Sequence, residues 1–334
     1  MNVTNRDVKT FMIDIKDILS DKNLSCEVCQ SCSDGQGCNQ DNITHKQKKL
    51  SKSVNDRKGT TRTNVVYLNT NCNLRCEYCY EGDSRQGLSD QANCSELMLD
   101  TFVNEIYERE GDLNSCIVVM GGEPLLRFDL YEYLVRKVSS LSKAGGWAIP
   151  ITTNALLFLD ERLILQYKEL KMFAESNNVN ISIEVSYDGS GHFRRKFPNG
   201  TSSKEHVERA VDNLVKHNVF FSMSYTVQSG NYNNVVEDMI KICERWPMCD
   251  KVALSFAHQD LDSVGPVGYT EILRSQLRPY LNYVYSLYGI PFCGVTCEPC
   301  GRCDKSMGVG NAYLSPTTGI SYADKATNKK FSQF

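Results

Sequence analysis

Residues 64–80 read Asn64-Val-Val-Tyr-Leu-Asn69-Thr-Asn-Cys72-Asn-Leu-Arg-Cys76-Glu-Tyr-Cys79-Tyr80. The first six residues are apolar, β-branched or aromatic between polar ends, the pattern of a buried strand. Three cysteines follow at once, in CX3CX2C spacing. Three thiolates this close in sequence can wrap one compact soft-metal site. Zinc remains an alternative, but a closed zinc site wants four ligands. Three cysteines on an iron–sulfur cubane leave one iron without a protein ligand. Such an open iron can chelate a small molecule through an amine and a carboxylate.

Outward from this stretch, short apolar runs alternate with amphipathic ones. Strands are predicted at Asn64–Asn69, Ser115–Met120, Trp147–Thr152, Ile181–Tyr187, Phe220–Val227 and Lys251–Phe256. Helices are predicted near 95–110, 127–143, 159–176, 203–217, 231–246 and 268–289. Parallel strands need crossover connections, so this alternation predicts an α/β fold, a partial (β/α)6 barrel or a curved open sheet. Ligands in such folds sit at the C-terminal ends of the strands. Three regions are expected: a cysteine-rich extension and linker at 1–63, the barrel at 64–289 and a small cluster-binding region at 290–334. Within the extension, Asp7 to Leu19 has helical spacing, and His45 to Arg62 is a basic, solvated linker.

Composition narrows the function. The net charge of −3 gives no field to draw nucleic acid. No apolar run approaches the roughly 20 residues of a membrane helix, and Met1 to Ser20 lacks the pattern of a signal peptide. A cytoplasmic protein is expected. In that reducing setting, 15 cysteines point to metal or redox chemistry rather than disulfides. Eleven fall in three groups: Cys26/Cys29/Cys32/Cys38, Cys72/Cys76/Cys79 and Cys293/Cys297/Cys300/Cys303. Cys94, Cys116, Cys243 and Cys249 are scattered, as small core residues are.

The cysteine triad does not stand alone. Gly121-Gly122-Glu123-Pro124 follows the second predicted strand, Thr152-Thr153-Asn154 the third, and Ser186-Tyr187-Asp188-Gly189 the fourth. His192 and Arg195 come just after. With Tyr78 before the last cysteine of the triad, this set resembles the radical S-adenosylmethionine (radical SAM) superfamily over roughly residues 64–260. It resembles in particular the peptide- or protein-modifying branch that carries SPASM or twitch domains. The resemblance implies a [4Fe–4S] cluster on Cys72, Cys76 and Cys79, whose electron splits bound SAM to a 5′-deoxyadenosyl radical that takes hydrogen from substrate. It also implies that Gly121, Gly122, Glu123 and Pro124 bind the SAM amino group, that Tyr78, Thr153 and Asn154 lie near the cofactor, and that Ser186 lies near the ribose. Glycines would let backbone approach the ligand, and a carboxylate suits an ammonium.

Cys293-x3-Cys297-x2-Cys300-x2-Cys303 is expected to hold an auxiliary [4Fe–4S] cluster, with zinc as the alternative. Thr318-Gly319-Ile-Ser-Tyr-Ala-Asp324 looks like the twitch-type hairpin, but Asp324 stands where a cysteine would be. The spacing Cys29-x2-Cys32-x5-Cys38 matches part of a SPASM motif, so the Cys26–Cys38 group is a candidate for a second auxiliary cluster or a zinc site.

The same resemblance implies a precursor peptide or protein as substrate and crosslinking, thioether or carbon–carbon, as the reaction. An external electron donor such as flavodoxin or ferredoxin is implied, and a separate protein is a candidate for leader recognition. Asp188, His258 and Tyr225 are candidates for catalytic residues. Two competing classes remain: a radical SAM enzyme acting on a small metabolite or nucleoside, and a non-enzymatic iron–sulfur electron carrier.

Overall fold

In the computed structural model, the described residues are 62–79, 92–141, 143–228, 230–256, 266–293, 311–315, 319–324 and 329–332. The Cys26–Cys38 group, Cys297, Cys300, Cys303 and His258 lie outside them.

Six parallel strands run in sequence order: β1 (Arg62–Tyr67), β2 (Ser115–Met120), β3 (Trp147–Thr153), β4 (Val179–Ser186), β5 (Phe221–Val227) and β6 (Cys249–Phe256). Between them lie α1 (Glu96–Glu110), α2 (Phe128–Ser139), α3 (Glu161–Ser176), α4 (Lys204–Lys216) and α5 (Val235–Arg245), and α6 (Pro266–Tyr288) follows β6. The result is the partial (β/α)6 barrel. Its sheet is open, and further strands extend both edges. β7 (Phe292–Cys293) pairs parallel with β6. At the other edge, β8 (Asn311–Ser315) pairs parallel with β1, followed by antiparallel β9 (Gly319–Asp324) and β10 (Lys329–Ser332). β8 and β9 pair as a hairpin, and β9 covers Gly319–Asp324 of the segment singled out in the sequence. The third strand, β10, was not foreseen.

Side chains alternate across each strand. Ile149 and Ile151 of β3, and Ile181, Ile183 and Val185 of β4, are buried. The helices bury matching stripes, such as Leu99, Phe102, Val103 and Ile106 of α1, at i, i+3, i+4 and i+7. Full burial of each such side chain is worth about 1.5–3 kcal/mol. The alternate residues of β4 are Asn180, Ser182, Glu184 and Ser186, all partly or fully exposed. On β4 one face is thus apolar and covered, and the other is polar.

At the N-terminal ends of the first strands sits a polar knot. Asn64 Nδ2 donates to Glu110 Oε1 (3.0 Å), and Arg109 donates to Asn64 Oδ1 (2.7 Å) and to Glu110 Oε1 (2.8 Å). Buried polar groups paired in this way fix the strand starts. The opposite ends, where the motifs stand, are left to build a site.

Candidate active site

The loop carrying the three cysteines leaves the C-terminal end of β1. Cys72, Cys76 and Cys79 are half-buried, and none is in a disulfide. Two local bonds shape the loop: the Leu74 amide donates to Cys72 Sγ (3.4 Å), and the Cys79 amide to the Cys76 carbonyl (3.2 Å). The loop is then clamped from both sides.

On one side lies the Gly121–Pro124 turn. The amides of Gly122 and Glu123 donate to the carbonyls of Asn69 (2.9 Å) and Asn71 (2.7 Å). Gly121 has φ +141°, and a Cβ there would stand 2.5 Å from the Asn69 carbonyl oxygen. On Gly122 a Cβ would run into the Asn71 carbonyl. The glycines are needed because the chain's own cysteine loop, not only a ligand, approaches them.

Glu123 is likewise held within the chain itself. Its side chain is buried, and its carboxylate accepts from Thr153 Oγ1 (2.6 Å), the Asn154 amide (2.8 Å) and the Leu125 amide (3.1 Å). Burial pushes it up to about 6, against those three donors. This carboxylate ties the end of β2 to the end of β3. Asn154 in turn donates through Nδ2 to Asn73 Oδ1 (2.7 Å), inside the cysteine loop. Thr153 and Asn154 are both buried in this frame.

The other side is held by the segment after β4. The amides of Arg75 and Glu77 donate to the carbonyls of Lys196 (2.7 Å) and Arg194 (3.0 Å). Glu77 pairs with Arg194 (3.2 Å) and Lys196. Deeper in, Asp188 is fully buried. It takes a two-pronged ion pair from Arg195 (2.8 and 3.2 Å), a bond from the Thr226 amide (3.0 Å) and the Tyr78 hydroxyl. Burial pushes Asp188 up, but Arg195, His192 and the Tyr78 hydroxyl outweigh it and hold the carboxyl below the usual range. Tyr78 thus reaches from the cysteine motif to the end of β4.

His192 is buried and neutral. Its Nδ1 accepts from the Asp188 amide (3.3 Å), so Nε2–H donates to Ser203 Oγ (3.2 Å), whose hydroxyl donates to the Arg195 carbonyl (2.9 Å). Burial pulls His192 down to about 3. Beneath the turn, Gly189 (φ +53°) packs on Asp238 of α5, where no Cβ would fit. Asp238 accepts from the Ser190 amide and hydroxyl (both 2.8 Å) and from the Tyr225 hydroxyl (2.6 Å).

These contacts show where two of the catalytic candidates lie. Asp188 has both oxygens engaged, by Arg195, the Thr226 amide and the Tyr78 hydroxyl. Tyr225 is fully buried, with its hydroxyl committed to Asp238, and belongs to the wall behind the site. Ser186 is half-buried at the end of β4, level with Ser224, which is level with Ala253 of β6, itself level with Cys293. Asp238 was missed, although a signal existed: it falls on the buried stripe Val235, Asp238, Met239, Ile242.

The three thiols fit an iron–sulfur cluster by their chemistry. Burial pushes Cys76 up to about 11, with Arg195 opposing and Cys72 and Cys79 adding to the rise. Thiols that hinder one another's ionisation are deprotonated by a bound metal centre. Among the described residues no three His, Cys, Asp or Glu side chains converge on a single-ion site. Three thiolates on one loop suit a cubane, in which each takes its own iron.

The sequence matches the Radical SAM superfamily over residues 66–243. The chain belongs to that superfamily, which implies an enzyme with a [4Fe–4S] cluster and SAM, fed by an electron donor. Among curated relatives, it is 28% identical over 212 residues to a probable GTP 3′,8-cyclase of Methanococcus aeolicus, covering 60% of this chain and 64% of that one. To a GTP 3′,8-cyclase of Clostridium perfringens strain SM101 it is 24% identical, over 55% and 52%. The chain thus spans less than two thirds of these relatives' length. Among solved structures, native anSMEcpe with bound AdoMet superposes with a TM-score of 0.60 at 18% identity, over 80% of this chain and 75% of that one. SuiB of Streptococcus suis bound to S-adenosylmethionine does so with 0.51 at 13%, over 94% and 71%. These likenesses are likenesses of fold. No helix among the described residues is long and apolar enough to cross a membrane.

Proposed function

We propose that this chain is a radical SAM oxidoreductase acting on a peptide or protein, as a ribosomal peptide maturase that forms a thioether or carbon–carbon crosslink. Cys72, Cys76 and Cys79 hold the SAM-cleaving cluster. The Gly121–Pro124 turn, Thr153, Asn154, Ser186 and Tyr78 form the cofactor pocket. When bound, the cluster and SAM supply the hydrogen-abstracting radical. The chain's own part is to hold the loop, exclude water and place the substrate.

The peptide substrate is supported by the segment Ser186-Tyr-Asp-Gly-Ser-Gly-His192-Phe-Arg-Arg195, which resembles that of the peptide-modifying branch and holds the cysteine loop through Asp188 and Tyr78. The cysteines beyond the triad support it, because an auxiliary cluster suits oxidative crosslinking. Cys293–Cys303 is proposed to carry one such cluster and Cys26–Cys38 a second, with zinc as the alternative at each. Flavodoxin or ferredoxin is the proposed donor.

A second reading has its own support: the curated relatives are named GTP 3′,8-cyclase, which favours a nucleotide. One experiment separates the two. Reduced, reconstituted enzyme is given SAM with either GTP or a candidate precursor peptide. Peptide-dependent 5′-deoxyadenosine, and a peptide lighter by two hydrogens, is expected. A cyclised nucleotide from GTP, with no peptide product, overturns the peptide reading.

A further inference from the structure

Residues level with one another across β4, β5 and β6 share a face of the sheet. Val185, Met223, Val252 and Phe292 form one such row, and all four are fully buried. The rows on either side of it present their side chains to the opposite face, the hollow of the partial barrel. One reads Thr152, Glu184, Ser222, Lys251. The other reads Ser186, Ser224, Ala253, Cys293. Closed eight-stranded barrels fill this space with layers of bulky branched side chains. Here these two rows are built largely from small residues, and Asn180 and Ser182, earlier on the same face of β4, are exposed. The hollow along β4 is therefore open.

Two opposite charges stand in it. Glu184 is half-buried, and its one bond is from Thr152 Oγ1 to its Oε1 (3.4 Å). Lys251 is half-buried, and its ammonium has no hydrogen-bond or ion-pair partner among the described residues. Two strand spacings, about 10 Å, separate their backbones, with the small Ser222 between them. Glu184 lies about 7 Å along β4 from Ser186, on the same face, so the row adjoins the pocket assigned above to the cofactor. A half-buried charge without a counter-charge gains more from a complementary ligand group than a fully exposed one, and it repels a like charge.

We propose that Glu184 and Lys251 are substrate-specificity residues, Glu184 receiving a cationic side chain of the peptide and Lys251 an anionic one close to it in sequence. The inference rests on the peptide reading above and narrows it to a substrate segment that carries both charges.

The test is equilibrium dialysis of full-length, cluster-reconstituted protein against a mixture of synthetic peptides, read by mass spectrometry. The peptides are acetyl-Gly-X-Gly-Z-Gly-amide, with X and Z each Lys, Gln or Glu, which lie on one side of an extended chain. Wild type is expected to retain peptides with one Lys and one Glu about tenfold over the Gln/Gln peptide. Glu184→Gln is expected to lose the preference for Lys and keep that for Glu, and Lys251→Gln to do the reverse. If either variant does not fold, the exchange variant Glu184→Lys with Lys251→Glu serves instead. It is expected to invert which of the Lys-Gly-Glu and Glu-Gly-Lys orders is retained more. Equal retention of charged and uncharged peptides by wild type, or variants that keep the wild-type preferences, overturns the proposal and leaves the peptide reading standing. Retention of no peptide overturns it too, and retention of GTP in their place overturns the peptide reading as well.

Discussion

Gly122 and Asn71 are in backbone contact so close that no side chain fits between them: a Cβ on Gly122 would run into the Asn71 carbonyl oxygen. Asn71 immediately precedes Cys72, so the glycine turn sets where the cysteine loop begins. Gly122→Ala is expected to destabilise the protein by about 3 kcal/mol or more, because backbone rather than a flexible side chain must move. It should also lower iron loading. Gly200→Ala is the control. Gly200 has φ +86° but open space around it, so its cost is only that of the strained backbone, about 1–2 kcal/mol. Urea denaturation of the two variants checks this.

Glu123→Gln replaces one carboxylate oxygen with an amide that cannot accept. At least one of the donors at Thr153, Asn154 and Leu125 then loses its partner in a buried place. A loss of about 1–3 kcal/mol is expected. The same variant should weaken SAM binding through loss of loop position, which equilibrium binding measures.

His192 gives the site an acid limit. Its folded value, about 3, lies below the usual 6.5. Burial dominates that shift. Arg195 and Lys204 add to it, and Asp188 opposes it. Above pH 6.5 both folded and unfolded histidine are neutral, and no stability is lost. As the pH falls from 6.5 towards 3 the unfolded state takes up a proton that the folded state refuses, so stability drops. His192→Gln should be less stable at pH 7 but lose less between pH 6.5 and 4. Thermal melts of both proteins across that range show the difference.

Tyr225→Phe separates a structural tyrosine from a catalytic one. It removes the donor at 2.6 Å from Asp238. A loss of about 1.5–3 kcal/mol is expected, as for a bond to a charged group. The rate of SAM cleavage by the folded fraction should stay within about twofold of wild type, as measured by 5′-deoxyadenosine release. A rate loss of a hundredfold with unchanged stability would restore Tyr225 to the catalytic set.

Much of the barrel was readable in advance because strands and helices differ in period. Ser115–Met120 was located to the residue, while β1 starts two residues earlier than its apolar run suggests and α2 ends at Ser139 rather than near 143. The cysteine spacing and the glycine turn were legible because each is contiguous. What the motifs touch was not. The sequence offers Glu123 as a carboxylate for an ammonium, and only the fold shows that it also accepts from Thr153 and Asn154. Tyr225 sits at a strand end, where facing the substrate is a fair expectation. Its residue type alone does not tell that α5 brings Asp238 beneath it. Contacts such as Asn73 with Asn154, 81 residues apart, have no local signature.

The central claim is that the loop Cys72–Cys79 holds a cluster that cleaves SAM. The measurement that tests it most directly is 5′-deoxyadenosine formed from SAM by reconstituted, dithionite-reduced protein, comparing wild type with Cys76→Ala. Formation by wild type, and none above background by the variant, is expected. A wild-type protein loaded with its cluster that never yields 5′-deoxyadenosine, or a variant as active as wild type, would contradict it.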